Sequence, residues 1–288
     1  MRVTLLTRNL EMDDLHSLPS VRPLSVISYR QGTVVERQDV VATEYALTIF
    51  VNDKEMTTVV CTPEHLNELV IGFLASEGIL RNITQLTDFS LSTIQGIARI
   101  SIQSKINFNQ AFYNKRFLGS CCGKSRPSFY YYNDAQTTMA VTDKVRMCPA
   151  EIFVRMEEME RSASLFAQTG GVHVAALCTP SEMQIARTDI GRHNALDKLY
   201  GYTLLNGDPV HDAIIAFSGR LSSEVIVKVA KIGAGIVLAK SAPTSMAIQL
   251  AQELNITAVG FVREDTFNVY THPWRISKLP NSDGPIQG

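Results

Sequence analysis

Between Asp88 and Asp134 the chain has no aspartate and no glutamate. The same stretch carries Arg99, Lys105, Lys115, Arg116, Lys124 and Arg126, so a strongly basic segment sits inside a chain of 288 residues whose net charge is only -1. Such balance argues against nucleic acid as the main partner, since that role calls for a broad basic surface. Long hydrophobic runs are also missing. None approaches the roughly 18 apolar residues of a membrane span. The opening "MRVTLLTRNLEMDD" has too short an apolar run, followed by acids, to read as a signal peptide. The expected location is the cytoplasm, with no membrane association. Cysteines are few and odd in number, five. In a reducing compartment they should be thiols and not a disulfide framework.

What the acid-free segment does contain is "GSCCGK", residues 119–124. Consecutive Cα atoms lie about 3.8 Å apart, whereas a relaxed disulfide spans about 4.4–6.8 Å. Cys121 and Cys122 therefore close on each other only with strain. Lys115, Arg116, Lys124 and Arg126 bracket them, and nearby cations favour the nucleophilic thiolate. Gly119 and Gly123 leave room for a partner to approach. A mobile, cation-flanked thiol suits group carriage between two partners. Adjacent cysteines lack the spacing of zinc ligands and no second pair exists, so no metal site is expected. Cys61, Cys148 and Cys178 stand at element ends in apolar company and read as small core residues.

Two regimes are legible. Residues 1–145 form an N-terminal β-rich domain with one helix and the cysteine loop. "SLPSVRPLS" reads as an irregular arm. Residues 33–60 alternate as antiparallel strands around a turn at Asn52-Asp53-Lys54. In "TPEHLNELVIGFLASEGIL", Thr62 is placed to cap a helix with Pro63 at its first position and Gly78 at its end. "FSLSTIQGIARISIQ" returns to strand. Residues 146–276 are a second, α/β domain. It opens with an amphipathic helix, "PAEIFVRMEEMERSASLFAQ", and two strands, then alternates helix and strand, with "NVYTHP" as a short edge strand. That alternation predicts parallel strands with right-handed crossovers. Residues 277–288 read as a loose tail.

Three loops of the second domain stand out. Ser218-Gly219-Arg220 and Lys240-Ser241-Ala242 each follow a strand and precede a helix, the second with Pro243 at its start. Hydroxyls and backbone N–H groups at helix N-termini bind anions, and in α/β sheets such loops hold the ligand. A phosphate-bearing ligand is the natural candidate. In "RTDIGRHNALDKLYG", Asp189 ends a strand, and Arg192 and His193 open a helix. His193 and Asp197 are four apart, so the carboxylate could orient the imidazole. His173 reads as a core histidine.

Taken in order, "ELVIGFLASEGIL", the cysteine loop, "DIGRHNALDK" and "VYTHP" resemble the FdhD (NarQ-type) family of formate dehydrogenase accessory sulfurtransferases over about residues 40–275. The resemblance implies a sulfurtransferase that takes sulfane sulfur from a cysteine desulfurase as a cysteine persulfide. It passes that sulfur to a molybdenum or tungsten bis(molybdopterin guanine dinucleotide) cofactor, activating formate dehydrogenase. It implies a C-terminal domain similar to cytidine deaminases, an α/β fold (α+β overall) with a mixed sheet. Many relatives carry Cys-Gly-x-Cys-Gly in the loop, so either Cys121 or Cys122 is the carrier; aligning first with first gives Cys121. The family's cofactor-binding segment falls on Phe261, Val262, Arg263, Glu264, Asp265 and Thr266. With Ser218, Arg220, Ser241, Thr244, Asp189, Arg192 and His193, it is expected to take the guanine nucleotide portions, or GDP-like ligands. Two guanines per metal make a homodimer attractive. Deaminase zinc chemistry is not expected, because His173 lacks the following glutamate and the paired cysteines are missing. The competing reading is a non-catalytic chaperone that binds the guanine nucleotide or the molybdenum cofactor.

Overall fold

The computed structural model describes residues 18–103, 116–118, 125–127, 138–142, 144–207 and 212–279. It is a mixed α/β protein. Strands β1 (Val21–Arg30) and β2 (Thr33–Ala42) pair antiparallel as a two-stranded ribbon around Gln31 and Gly32, both at positive φ. The segment read as an irregular arm thus runs into a strand from Val21 onward. Pro23 is compatible with it because both edges of a two-stranded ribbon are outer edges.

Strands β3 (Tyr45–Val51) and β4 (Lys54–Cys61) form the expected hairpin, with Asn52 and Asp53 both left-handed as a two-residue turn requires. With β5 (Leu86–Ser92) and β6 (Ile97–Ile102) they make a four-stranded sheet of order β4-β3-β6-β5, in which β3 and β6 are parallel. Leu47, Ile49, Val59, Ile100 and Phe89 turn one face of it onto helix α1 (Leu66–Ser76). The helix starts three residues later than the Pro63 signal predicts. His65 precedes it at φ 52, and Thr62 is drawn away to Asp189. Gly78, at φ 69, ends it as expected.

Strands β7 (Arg116–Leu118) and β8 (Ser125–Pro127) pair antiparallel, with Leu118 opposite Ser125. Cys121, Cys122, Lys115 and Lys124 lie outside the described residues.

The predicted amphipathic helix is two helices, α2 (Pro149–Ser162) and α3 (Ser164–Thr169), broken at Ala163, where ψ is 57. Then come β9 (His173–Cys178), β10 (Met183–Asp189), α4 (Arg192–Asn206), β11 (Ile214–Phe217), α5 (Ser223–Ile232), β12 (Ile236–Ala239), α6 (Ser245–Glu253), β13 (Thr257–Gly260) and β14 (Asn268–Val269). The sheet order is β10-β9-β11-β12-β13-β14. Strands β11, β12 and β13 are parallel as the alternation requires; β9, β10 and β14 are antiparallel to their neighbours. Successive residues face opposite sides. Ala175, Leu177, Ile215, Phe217 and Val237 meet α4, α5 and α6, while Val174, Ala176, Ile214, Ala216 and Leu238 meet α2. The start of the tail is anchored: Ser277 N–H donates to Met147 O at 2.8 Å.

Helices α1 and α4 join the two sheets. Their backbones touch at Gly72 and Gly201. A Cβ on Gly72 would lie 1.7 Å from the Asp197 carbonyl oxygen, and one on Gly201 would lie 1.9 Å from that of Glu68. Only glycine permits such an approach.

Candidate functional site

The parallel run of β11, β12 and β13 delivers its three following loops to one edge of the sheet, and antiparallel β9 begins at that same edge. Consequently His173, Ser218, Ser241 and Phe261 converge. Val174 N–H donates to Ser218 Oγ at 2.9 Å, and His173 Nδ1 lies 3.3 Å from the same oxygen. The two strand-end loops are laced together, with Leu221 N–H donating to Ala242 O and Thr244 N–H to Leu221 O. Phe261 N–H reaches Ser241 O at 3.4 Å. Ser222 and Thr244 side chains cap α5 and α6 by accepting from Val225 and Ala247 N–H. The Thr244 hydroxyl is therefore already engaged as a helix cap.

Arg192 and His193 open α4 beside these loops. Gly219 packs against the Arg192 stem, a Cβ there lying 3.6 Å from Arg192 Cβ. His193 Nε2 lies 2.9 Å from Glu224 Oε2 on the first turn of α5. The expected His193–Asp197 pairing does not occur. Asp197 is buried, accepting from Ser76 Oγ at 2.6 Å and from Lys228 Nζ, while His193 pairs with Glu224 one turn earlier on α5. Burial, then the positive charge of Arg192 and His193, holds the His173 imidazole below its ordinary range, so it is kept neutral.

Asp189 has no exposed surface. Its Oδ1 accepts from Gly191 N–H and Asn194 Nδ2, and its Oδ2 from Thr62 N–H at 3.0 Å and Lys198 Nζ at 2.8 Å. Lys198, also fully buried, donates to Thr62 Oγ1 at 2.7 Å and Thr188 O at 3.0 Å. Asn194 reaches Val60 O at 2.8 Å. Nearby, Arg187 grips Glu68 of α1 in a bidentate pair at 2.5 and 2.7 Å. The motif "DIGRHNALDK" is thus divided. Asp189, Asn194, Asp197 and Lys198 clamp the first sheet's helix and strand to the second, while Arg192 and His193 stand at the rim.

Segment 261–266 links β13 to β14. Phe261 adopts φ 55 and is 40% exposed, an unusual conformation for an aromatic residue. Val262 is buried in the core on the α2 side, with its N–H donating to Ala239 O, so it anchors the segment. Arg263, Glu264, Asp265 and Thr266 are exposed, closed by Arg263 N–H donating to Thr266 O. Arg220 is exposed at the same edge, whereas Lys240 is turned to an ion pair with Glu160 of α2.

Sequence reasoning missed Glu224, Glu68, Arg187 and Lys228. Glu68 and Arg187 are 119 residues apart, so no local spacing links them. Glu224 resembles an ordinary first-turn acid.

Cys61 and Cys178 are fully buried. Burial pushes the Cys178 thiol up to about 12. Cys148 is half-buried at the start of α2, where its N–H donates to Glu151 Oε2 at 2.6 Å. No cluster of potential metal ligands occurs among the described residues. No helix among them is long and apolar enough to cross a membrane.

The model of the FdhD/NarQ family matches residues 42–277. The chain is 53% identical over 252 residues to the sulfur carrier protein FdhD of Halalkalibacterium halodurans, covering 87% of this chain and 93% of that one. It is 50% identical over 248 residues to the Bacillus subtilis protein of the same name, covering 86% and 94%. Among solved structures, a protein assigned as a formate dehydrogenase accessory protein in Desulfotalea psychrophila superposes with TM-score 0.73 at 26% identity, over 90% of this chain and 100% of that one. With half of its residues shared over nearly the full length of such relatives, the chain belongs to the FdhD/NarQ family.

Proposed function

We propose that this protein is a cytoplasmic sulfur carrier that serves formate dehydrogenase. Its acceptor is Cys121 or Cys122. The thiolate attacks the terminal sulfur of a persulfide on a cysteine desulfurase. A new S–S bond forms, the donor's S–S bond breaks, and the donor cysteine leaves as thiolate. The persulfide is then delivered to the bis(molybdopterin guanine dinucleotide) cofactor of the recipient enzyme, which here is substrate. Conversion of that sulfur to a metal-bound sulfide takes up two electrons, supplied by the metal centre or a thiol reductant.

The observation that carries this reading is elimination among the thiols. Cys61 and Cys178 are sealed in the two cores, and Cys148 sits half-buried beside a carboxylate. The remaining pair lies in the longest stretch without acids, flanked by four cations, where thiolate is favoured. The names of the relatives agree in kind. The loop-lined edge at Ser218, Arg220, Ser241, Arg192 and His193, with the exposed Phe261 ring, is our choice for the guanine nucleotide portion. Exposed Arg220 and Arg263 suit its phosphates. A homodimer would let each copy hold one guanine.

The test is to incubate the protein with a cysteine desulfurase and cysteine, then locate the added sulfur atom by peptide mass spectrometry. It should appear on Cys121 or Cys122 and vanish in Cys121→Ala/Cys122→Ala. Sulfur retained by the double variant would refute the assignment. A double variant that still activates formate dehydrogenase would favour a non-catalytic cofactor chaperone.

A further inference from the structure

His173 has the sequence context of a core histidine, yet it stands at the first position of β9, on the edge where the strand-end loops gather. Its side chain is only half-buried. Asp189 is opposite it on β10. Nδ1 lies 3.3 Å from Ser218 Oγ, and that oxygen also accepts from Val174 N–H at 2.9 Å. The other ring nitrogen, Nε2, meets no hydrogen-bonding partner among the described residues.

A serine hydroxyl has two lone pairs and one proton. Val174 N–H takes one lone pair of Ser218. The other lone pair and the proton can each serve Nδ1. With Nδ1 bare, the hydroxyl donates to it and the ring proton sits on Nε2. With Nδ1 protonated, the ring donates to Oγ and the hydroxyl proton is released to another acceptor. The pair keeps its bond in both charge states of the ring. An ordinary buried histidine, with both nitrogens fixed, has no such freedom.

The charges around the ring come from three elements: Asp189 of β10, Arg192 and His193 of α4 and, beyond His193, Glu224 of α5. The Asp189 carboxylate is occupied by Gly191, Asn194, Thr62 and Lys198. Arg192 and His193 oppose a proton on the His173 ring. A phosphate at this edge reverses that balance. It neutralises the same two cations and brings negative charge beside the ring. A neutral acceptor, such as a base carbonyl, does not.

We propose that His173 senses the phosphate of the bound nucleotide: Nε2–H donates to a phosphate oxygen, and the imidazole takes up one proton from solution as that phosphate arrives. One N–H bond forms at Nδ1, the proton comes from the buffer, and the Ser218 O–H becomes a second donor to the phosphate. The inference rests on reading this edge as the nucleotide site and adds to it a contact and a proton linkage. The complex holds more protons than its separate parts, so affinity rises as pH falls and declines as pH climbs through the value of the phosphate-bound imidazole.

Calorimetric titration of the full chain with GDP at pH 7, in two buffers of unlike ionisation heat, tests it. A terminal phosphate, with a second pKa of about 6, is already mostly ionised there and takes up no proton of its own on meeting cations. Binding should take up roughly half a proton or more per GDP, and affinity should weaken about three- to tenfold between pH 7 and 8. His173→Gln keeps a side-chain N–H but accepts no proton. It should bind GDP without uptake and with affinity independent of pH over that range. Carbon-13 NMR of the histidine rings in the unaltered protein needs no variant: one imidazole should titrate at higher pH with GDP than without it. GDP that binds with no uptake and moves no imidazole, or uptake undiminished in a folded His173→Gln protein, would overturn the proposal and leave the nucleotide site standing. An unaltered protein that binds no GDP would overturn the site and the proposal together.

Discussion

Replacing Gly72 with alanine tests the way the two sheets are joined. The added Cβ would stand 1.7 Å from Asp197 O and 2.6 Å from Gly201 N, both backbone atoms. Ordinary carbon contacts begin near about 3.5 Å, so α1 would have to retreat from α4 by roughly 1.5 Å or more. Overpacking alone costs about 1–3 kcal/mol. Retreat also pulls Ser76 from Asp197 and Glu68 from Arg187, and disturbing buried charged partners costs about 3–5 kcal/mol when a pair is broken. The expected loss is on the order of 4 kcal/mol, a fall in Tm of roughly 10 °C for a chain of this size. Scanning calorimetry at matched scan rates provides the measurement. Gly171→Ala is the control, since its Cβ would meet nothing closer than 3.6 Å. A Gly72→Ala protein melting within about 2 °C of the unaltered one would show that the glycine contact does not set the spacing of the helices.

Lys228→Met should destabilise by about 3 kcal/mol, because it leaves the buried Asp197 carboxylate without its ammonium partner; Lys228→Met/Asp197→Leu should recover much of that, both read by urea unfolding. The His173 imidazole is held below its unfolded value of 6.5, so the unfolded chain binds the proton first on acidification. Its stability contribution is therefore complete above about pH 6.5 and declines as pH falls from there through the lower folded value; His173→Gln should flatten the Tm profile between about pH 7 and 5. Iodoacetamide at pH 8 should modify Cys121 or Cys122 well before Cys178, whose thiol is pushed up to about 12 and is almost wholly protonated there. Peptide mapping that finds Cys178 labelled as fast would contradict its burial.

Much of the six-stranded sheet and its flanking helices could be read from sequence because the strands are short apolar runs between helices with strong caps. Ser222 and Thr244 sit where those caps should be, and the elements follow in the expected order. Only half of the ribbon was legible: β2 lies within the alternation read over residues 33–60, whereas β1 overlaps the stretch read as an irregular arm. Strand β1 contains a proline and few buried residues, so alternation gave no core-facing signal. Helix α1 started late because the Thr62 hydroxyl, a good cap acceptor by type, instead accepts from Lys198 Nζ, 136 residues away. Tertiary partners outbid the local signal.

The same competition explains why "DIGRHNALDK" misleads when read locally. Asn194, Asp197, Lys198 and Gly201 recur at intervals of three, one and three, which is one stripe of a helix. A polar stripe ordinarily faces water. Here the stripe meets α1 and the end of β4, and each polar group on it is satisfied by a partner from β4, Thr62, α1 or α5. Arg192 and His193, a turn earlier, are left at the rim. Substitutions along one ten-residue motif should therefore separate into two kinds. Changes at Asp197 or Lys198 should lower Tm, since they strand a buried charge. Arg192→Ala should leave Tm within about 2 °C while weakening binding of GDP used as a probe, measured by calorimetric titration. An Arg192→Ala protein that binds GDP unchanged would remove the rim from the nucleotide site while leaving the clamp between the sheets intact.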